Sequence, residues 1–231
     1  MSPPAPKLLP PLTQPIALDP TDIASSPTSL IITETVSGYD FTITDRSTSK
    51  TLYTVKGRTD SRHAYKDVFS SNDTHIFSLV KENKSLPKHY ALLKPDGTEW
   101  LPVEYKWGTT VRQTSSFPNM AKDATLPATI TISASYFSRN GDFVSVVPAK
   151  GGEKEKEEVA AHVFRDFYTW NEWVKAKRTY YLDVAPGMDV SVAIGSMLYL
   201  HERINEGADK RGGSDRGMAG AIAGGIGGAA A

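Results

Sequence analysis

The stretch Asp189-Val-Ser-Val-Ala-Ile-Gly-Ser-Met-Leu-Tyr-Leu200, which runs into His201-Glu-Arg203, decides how this chain folds. From Val190 to Leu200 it carries no charged residue. At 100° per residue Val190, Val192, Ala193, Ile194, Met197, Leu198, Tyr199 and Leu200 surround a helix axis and leave no polar face. A helix apolar all round is buried in a protein core or in a membrane. At 1.5 Å per residue the uncharged run spans roughly 16 Å, about half of a bilayer's hydrocarbon core. His201, Glu202 and Arg203 then close it with polar groups. The remaining solution is a helix enclosed on every side by protein. Asp189 is placed to cap its start, after Ala185-Pro186-Gly187 breaks the preceding strand. Asp189, Val190, Ile194, Met197 and Leu198 are its structural residues, and Ser191, Gly195 and Ser196 let neighbouring backbone approach.

Working outward, the chain before this helix has period two. Tyr39, Phe41 and Ile43 alternate with polar residues. So do Leu101, Val103, Tyr105 and Trp107; Ile130, Ile132, Ala134 and Tyr136; and Tyr180, Leu182 and Val184. Phe77 with Leu79 and Val144 with Val146 continue the pattern. Turn signals separate the runs: Ser37-Gly38, Lys94-Pro95-Asp96-Gly97 and Arg139-Asn140-Gly141-Asp142. Many short strands with local turns form an antiparallel meander, which stacks as a sandwich or closes as a barrel. Only a barrel encloses a helix. The expectation is an α+β, mainly β fold: a closed antiparallel barrel around one C-terminal hydrophobic helix. Phe117 to Pro127 reads as a loop, and Lys150 to Glu158 as a solvated charged insertion.

Three regions follow. Residues 1–28 are rich in Pro, Ser and Thr and read as a disordered arm. Residues 29–205 form the barrel domain. Residues 206–231 are mostly Gly and Ala and read as a disordered tail, too weakly apolar to span a membrane.

Composition narrows the function. Lys+Arg and Asp+Glu balance at 26 each, where a nucleic-acid binder is usually basic overall. There is no cysteine, hence no disulfide or thiolate chemistry. The first residues lack a secretory signal pattern, so a cytoplasmic setting is expected. His63, His75, His89, His162 and His201 show no metal-binding spacing, and no nucleophile elbow, Walker loop or dinucleotide fingerprint is present. No catalytic residue, metal or cofactor is assigned. The strongest candidate is a basic cluster, Arg46, Lys50, Lys56, Arg58, Arg62 and Lys66, against only Asp45 and Asp60. Convergent Lys and Arg are what a phosphate head group needs. The alternative is that these residues are scattered around the barrel and only solubilise it.

The stretch Arg178-Thr-Tyr-Tyr-Leu-Asp-Val-Ala-Pro-Gly-Met-Asp189, leading into Val190–Leu200, resembles the end of the LURP-one-related proteins. Tyr39-Asp-Phe-Thr-Ile-Thr-Asp45 is similar to one of their early strands. These proteins belong to the tubby C-terminal-like group, with the phospholipid scramblases. The arms and the charged insertion look more like fungal relatives than like the shorter plant pattern. The resemblance implies a barrel of about twelve strands threaded by a hydrophobic helix. It implies a binding module, at phosphoinositides or other anionic phospholipids on a membrane surface, or at a protein partner. The absence of cysteine leaves no site for palmitoylation, which weakens a close scramblase parallel. A small ligand carried inside the barrel conflicts with the filled interior.

Overall fold

The computed structural model describes residues 4–35, 39–59, 63–82, 90–103, 110–122, 124, 127–135, 140–147, 156–166 and 178–204. Twelve strands follow one another: β1 (Thr28–Glu34), β2 (Phe41–Asp45), β3 (Thr51–Thr59), β4 (His63–Ser70), β5 (His75–Glu82) and β6 (Tyr90–Leu93). Then come β7 (Glu99–Val103), β8 (Thr110–Phe117), β9 (Ala128–Ser135), β10 (Asn140–Val147), β11 (Lys156–Asp166) and β12 (Thr179–Val184). One sheet holds all twelve, in the order β7-β6-β5-β4-β3-β2-β1-β12-β11-β10-β9-β8. Every hydrogen-bonded pair is antiparallel. β7 and β8, at the two ends of that order, lie against each other and bring the sheet to a nearly closed barrel. Ten of the pairings are between sequence neighbours; β1 with β12 joins the two halves of the chain.

The helix α1 (190–204) follows β12 and fills the barrel. Every residue from 190 to 201 is buried, and Val192, Ala193, Ile194, Met197 and Leu198 are fully so. Around it stand the alternate residues of the strands, among them Leu30, Ile32, Phe41, Ile43, Phe77 and Phe143. The enclosed helix that the uncharged run required is therefore what forms, and period-two alternation supplies its enclosure. The Lys94–Gly97 turn also forms as expected: Gly97 sits at φ +83°, and its N–H donates to Lys94 O at 2.9 Å.

Three readings of the sequence need correction. Asn140 and Gly141 do not lie at a turn; both are already in β10, paired with β11 and, for Gly141, with Ala134 of β9. A Cβ on Gly141 would come within 3.0 Å of Ala134 Cβ and 3.1 Å of Val163 Cγ1, so this glycine makes room for its cross-strand neighbours in the wall. Lys156, Glu157 and Glu158, expected in a solvated insertion, belong to β11 and pair with Val147, Val146 and Ser145.

The third correction concerns the arm. Residues 4–24 form a strap fastened to the barrel end at which α1 begins. Leu9, Leu12, Ile16, Ala17 and Leu18 are buried. Backbone bonds tie the strap to the loop before α1: Leu12 N–H to Pro186 O at 2.9 Å, Ile16 N–H to Gly187 O at 2.8 Å and Ala24 N–H to Met188 O at 2.9 Å. A short 3-10 turn, Pro20–Asp22, follows, capped by the Asp19 side chain. Proline removed some donors from this segment, but the apolar residues between the prolines found sockets, and their burial offsets the ordering entropy. The expected tail lies outside the described residues.

Candidate functional site

The six basic residues separate in the fold. Lys56 and Arg58 are exposed on β3, one residue either side of Gly57 and with buried Val55 preceding them. Register places Lys56 opposite Asp67 and Arg58 opposite Tyr65 on β4. Lys56 Nζ lies 5.0 Å from the centre of the Phe69 ring, and the Arg58 guanidinium 3.8 Å from that of Tyr65. Arg58 Nε also donates to Asp67 Oδ2 at 2.5 Å. Burial pushes the Asp67 carboxyl up, but its bonds from Arg58 and Ser78 outweigh this and hold it below the usual range. Lys50 is exposed just before β3, beside the turn that Asp45 organises through Ser47 and Thr48. Arg46 lies over the Tyr181 ring at 5.1 Å and donates to Pro4 O of the strap. Lys66 faces the other way: it is buried opposite Gly57, inside the barrel. Arg62 lies outside the described residues. The outer wall thus keeps Lys50, Lys56 and Arg58, the strap covers Arg46, and the interior takes Lys66.

Lys66 belongs to a polar cluster around the last turn of α1. Its Nζ donates to Tyr39 O at 3.2 Å, meets Glu202 Oε1 at 3.3 Å and lies 4.7 Å from the Phe41 ring centre. Lys81 adds a second cation to Glu202 at 3.8 Å. Next to them Glu34 Oε1 is 3.6 Å from His201 Nε2, and Glu34 Oε2 is 3.7 Å from Arg178 Nε. Tyr180 Oη is 2.7 Å from His201 Nδ1. Burial raises the Glu34 carboxyl to about 7 even against Arg178 and Lys66, and burial pushes His201 well below its ordinary value. At neutral pH His201 is therefore uncharged and accepts or donates one proton in a Tyr180–His201–Glu34 line. This cluster was invisible in the sequence, because its members come from β1, β4, β5, β12 and α1.

Two groupings resemble catalytic machinery and lack its wiring. Tyr180, His201 and Glu34 run in line, but Tyr180 and His201 are each 1 % exposed, so no substrate reaches them. On the outer wall Ser78 Oγ donates to Asp67 Oδ1 at 2.5 Å and lies 3.0 Å from His75 Nε2. A nucleophilic triad needs the carboxylate on one ring nitrogen and the serine on the other. Here His75 Nε2 faces both, with Asp67 at 3.9 Å. Among the described residues no group of His, Asp or Glu is placed to hold a metal ion.

A cavity of about 10 Å³ lies between Gly195, Ser196 and Tyr199 of α1 and the wall at Leu92, Leu101 and Ile130. That is room for about one water molecule. Among the described residues no helix is long and apolar enough to cross a membrane.

The family model for LURP-one-related proteins matches residues 28–201. A crystal structure of a protein from Arabidopsis thaliana is similar in fold, with a TM-score of 0.51 and 16 % identity over 82 % of this chain and 98 % of that one. Comparison with curated proteins gives no match.

Proposed function

Because the chain belongs to the LURP-one-related family, we propose that it is a non-enzymatic binding module of tubby-like type that meets anionic phospholipid head groups at a membrane surface. The observation that carries this reading is the filled barrel: with residues 190–201 buried throughout, a ligand has to be met from outside. The outer wall supplies Lys50, Lys56 and Arg58, with Phe69 and Tyr65 beside the last two. Each basic residue near an anionic surface contributes about 1 kcal/mol, so three contribute a weak, salt-sensitive attraction. Arg62, near them in sequence, belongs to the same proposed set. No cofactor, metal or nucleic acid takes part, and the module acts in the cytoplasm or peripherally at its membranes.

Flotation with phosphatidylcholine vesicles, with and without phosphoinositide, tests this. Binding that appears only with the anionic lipid and falls about tenfold on K56E together with R58E supports it. Absence of salt-sensitive binding at every lipid composition removes it.

A second reading is a protein-interaction module without a lipid ligand. Arg58 is engaged by Asp67, Arg46 by the strap and Lys66 by the interior, while Leu8, Tyr39 and Met120 are exposed apolar side chains. A pull-down in which capture depends on the strap, with no vesicle binding, favours it.

A further inference from the structure

The strap is held near its middle by one carboxylate. Glu158 of β11 grips Thr13 twice: Oε2 accepts from the backbone N–H at 2.8 Å, and Oε1 accepts from the Thr13 hydroxyl. Lys156 closes the group, with Nζ 2.7 Å from Glu158 Oε1 and donating to Thr13 Oγ1 at 3.2 Å. Burial pushes the Glu158 carboxyl up, but the bonds from Lys156 and Thr13 outweigh this and hold it in the ionised form. Thr13 itself is exposed, at a bend between Pro10-Pro11 and Pro15 that belongs to no strand or helix. On either side the chain is fixed by the buried side chains of Leu12 and Ile16 and by their bonds to Pro186 O and Gly187 O.

We propose that Thr13 is a phosphorylation site and that the Thr13–Glu158 grip is the latch it controls. A protein kinase transfers the γ-phosphoryl group of a nucleoside triphosphate to Thr13 Oγ1. The new O–P bond forms as the bond to the bridging oxygen of the β-phosphate breaks, and the hydroxyl proton leaves to the kinase's base. The modification removes the donor that Glu158 accepts from and sets a phosphate of nearly two negative charges against a carboxylate. One exposed lysine, Lys156, then faces both anions. Phosphate placed next to Glu disrupts by like-charge repulsion.

A kinase works on an extended segment, so the hydroxyl is modified when the strap lifts. A segment held outside the sheet by a limited set of bonds opens with a smaller free energy than the whole barrel. Once modified, it cannot re-form the grip, and the released state is trapped. Release uncovers the outer face of β12, where Asp183 now holds Lys7 N–H at 2.7 Å, and the sockets of Leu12 and Ile16.

The full chain carrying phosphothreonine at position 13 is compared with the unmodified chain by amide hydrogen exchange at Leu12 and Ile16. Exchange at least a hundredfold faster is expected, with the barrel amides of β1 and β12 unchanged. T13V, which loses the hydroxyl without adding charge, separates repulsion from a lost hydrogen bond; it should speed exchange about tenfold or less. E158Q in the phosphorylated chain should recover part of the protection. Protection in the phosphorylated chain equal to that of T13V, or no recovery with E158Q, overturns the latch. Phosphopeptide mapping of the chain isolated from its own cells should find phosphate on Thr13, and a chain carrying none there overturns the assignment of the site.

Discussion

His201 Nε2 stands 3.6 Å from Glu34 Oε1 inside the barrel, and burial acts on the two in opposite senses. It raises Glu34 to about 7 and lowers His201. The folded chain therefore favours the neutral form of both, which is what a low-dielectric site with a single shared proton selects.

The first prediction follows from the sign of the Glu34 shift. Its folded value lies above the ordinary 4.5, so its stabilising contribution is full below that pH and is lost as pH rises through about 7. His201 works oppositely: its contribution is full above 6.5 and is lost as pH falls below it. E34Q removes the first dependence and keeps the second. The melting temperature of the native chain minus that of E34Q should fall steadily between pH 5 and pH 8. A difference that stays flat across this range contradicts the assignment.

A second prediction concerns Asp189. Its Oδ1 accepts from the N–H groups of Ser191 and Val192 at the start of α1, at 2.8 and 3.3 Å. Its Oδ2 accepts from Leu18 and Asp19 of the strap, both at 2.9 Å. One carboxylate thus caps the helix and anchors the strap. D189N keeps a single acceptor oxygen, so either the helix start or the strap is left with buried, unsatisfied donors. A loss of about 2 kcal/mol is expected in urea titration. A stability within a few tenths of the native value would show that the carboxylate joins nothing.

How much of this was readable in the sequence differs between elements for physical reasons. The buried helix announced itself because eleven uncharged residues exceed what a surface stripe allows. Asp189 was legible as a cap, but its second role was not, since no local pattern shows that Leu18 and Asp19 return to it. The strap was misread from its prolines, although Leu9, Leu12, Ile16 and Leu18 carry the apolar signal that its burial uses. Lys66 was grouped with Lys56 and Arg58 by proximity in sequence. Strand parity separates it: Lys66 shares a face with Val68, which is fully buried. Glu34 and His201 meet only because β1 and α1 are brought together by closure of the barrel.

Parity gives the third prediction. K66M removes the cation that Glu202 meets at 3.3 Å and, among the described residues, leaves that carboxylate to Lys81 at 3.8 Å. Glu202 is partly exposed and keeps Lys81, so the loss is smaller than for an uncompensated buried charge, about 2 kcal/mol. K56E, on the exposed wall, should leave the melting temperature within a few degrees. Vesicle binding should reverse the order: K56E weakens it, while K66M, measured below its melting temperature, leaves it unchanged. Equal effects of the two on binding would place Lys66 on the outside and refute the separation.

Two glycines that both sit against another residue should respond differently to alanine. A Cβ on Gly195 meets Leu92 Cδ1 at 2.6 Å and Cδ2 at 3.1 Å, the far end of a flexible side chain. Leu92 also borders the small cavity beside α1, so it has somewhere to turn. Alanine is favoured over glycine within a helix by about 1 kcal/mol, which offsets much of the repacking. A Cβ on Gly57 meets Tyr39 Cβ at 2.6 Å and the Tyr39 carbonyl oxygen at 2.8 Å. Backbone cannot swing aside as a leucine can, and that carbonyl is also the acceptor for buried Lys66. G57A should therefore lower stability by about 2 kcal/mol or more, while G195A stays within about 1 kcal/mol of the native chain. Denaturant midpoints for the two variants settle the comparison, and a larger loss for G195A would mean that the helix is packed against a wall with no freedom at Leu92.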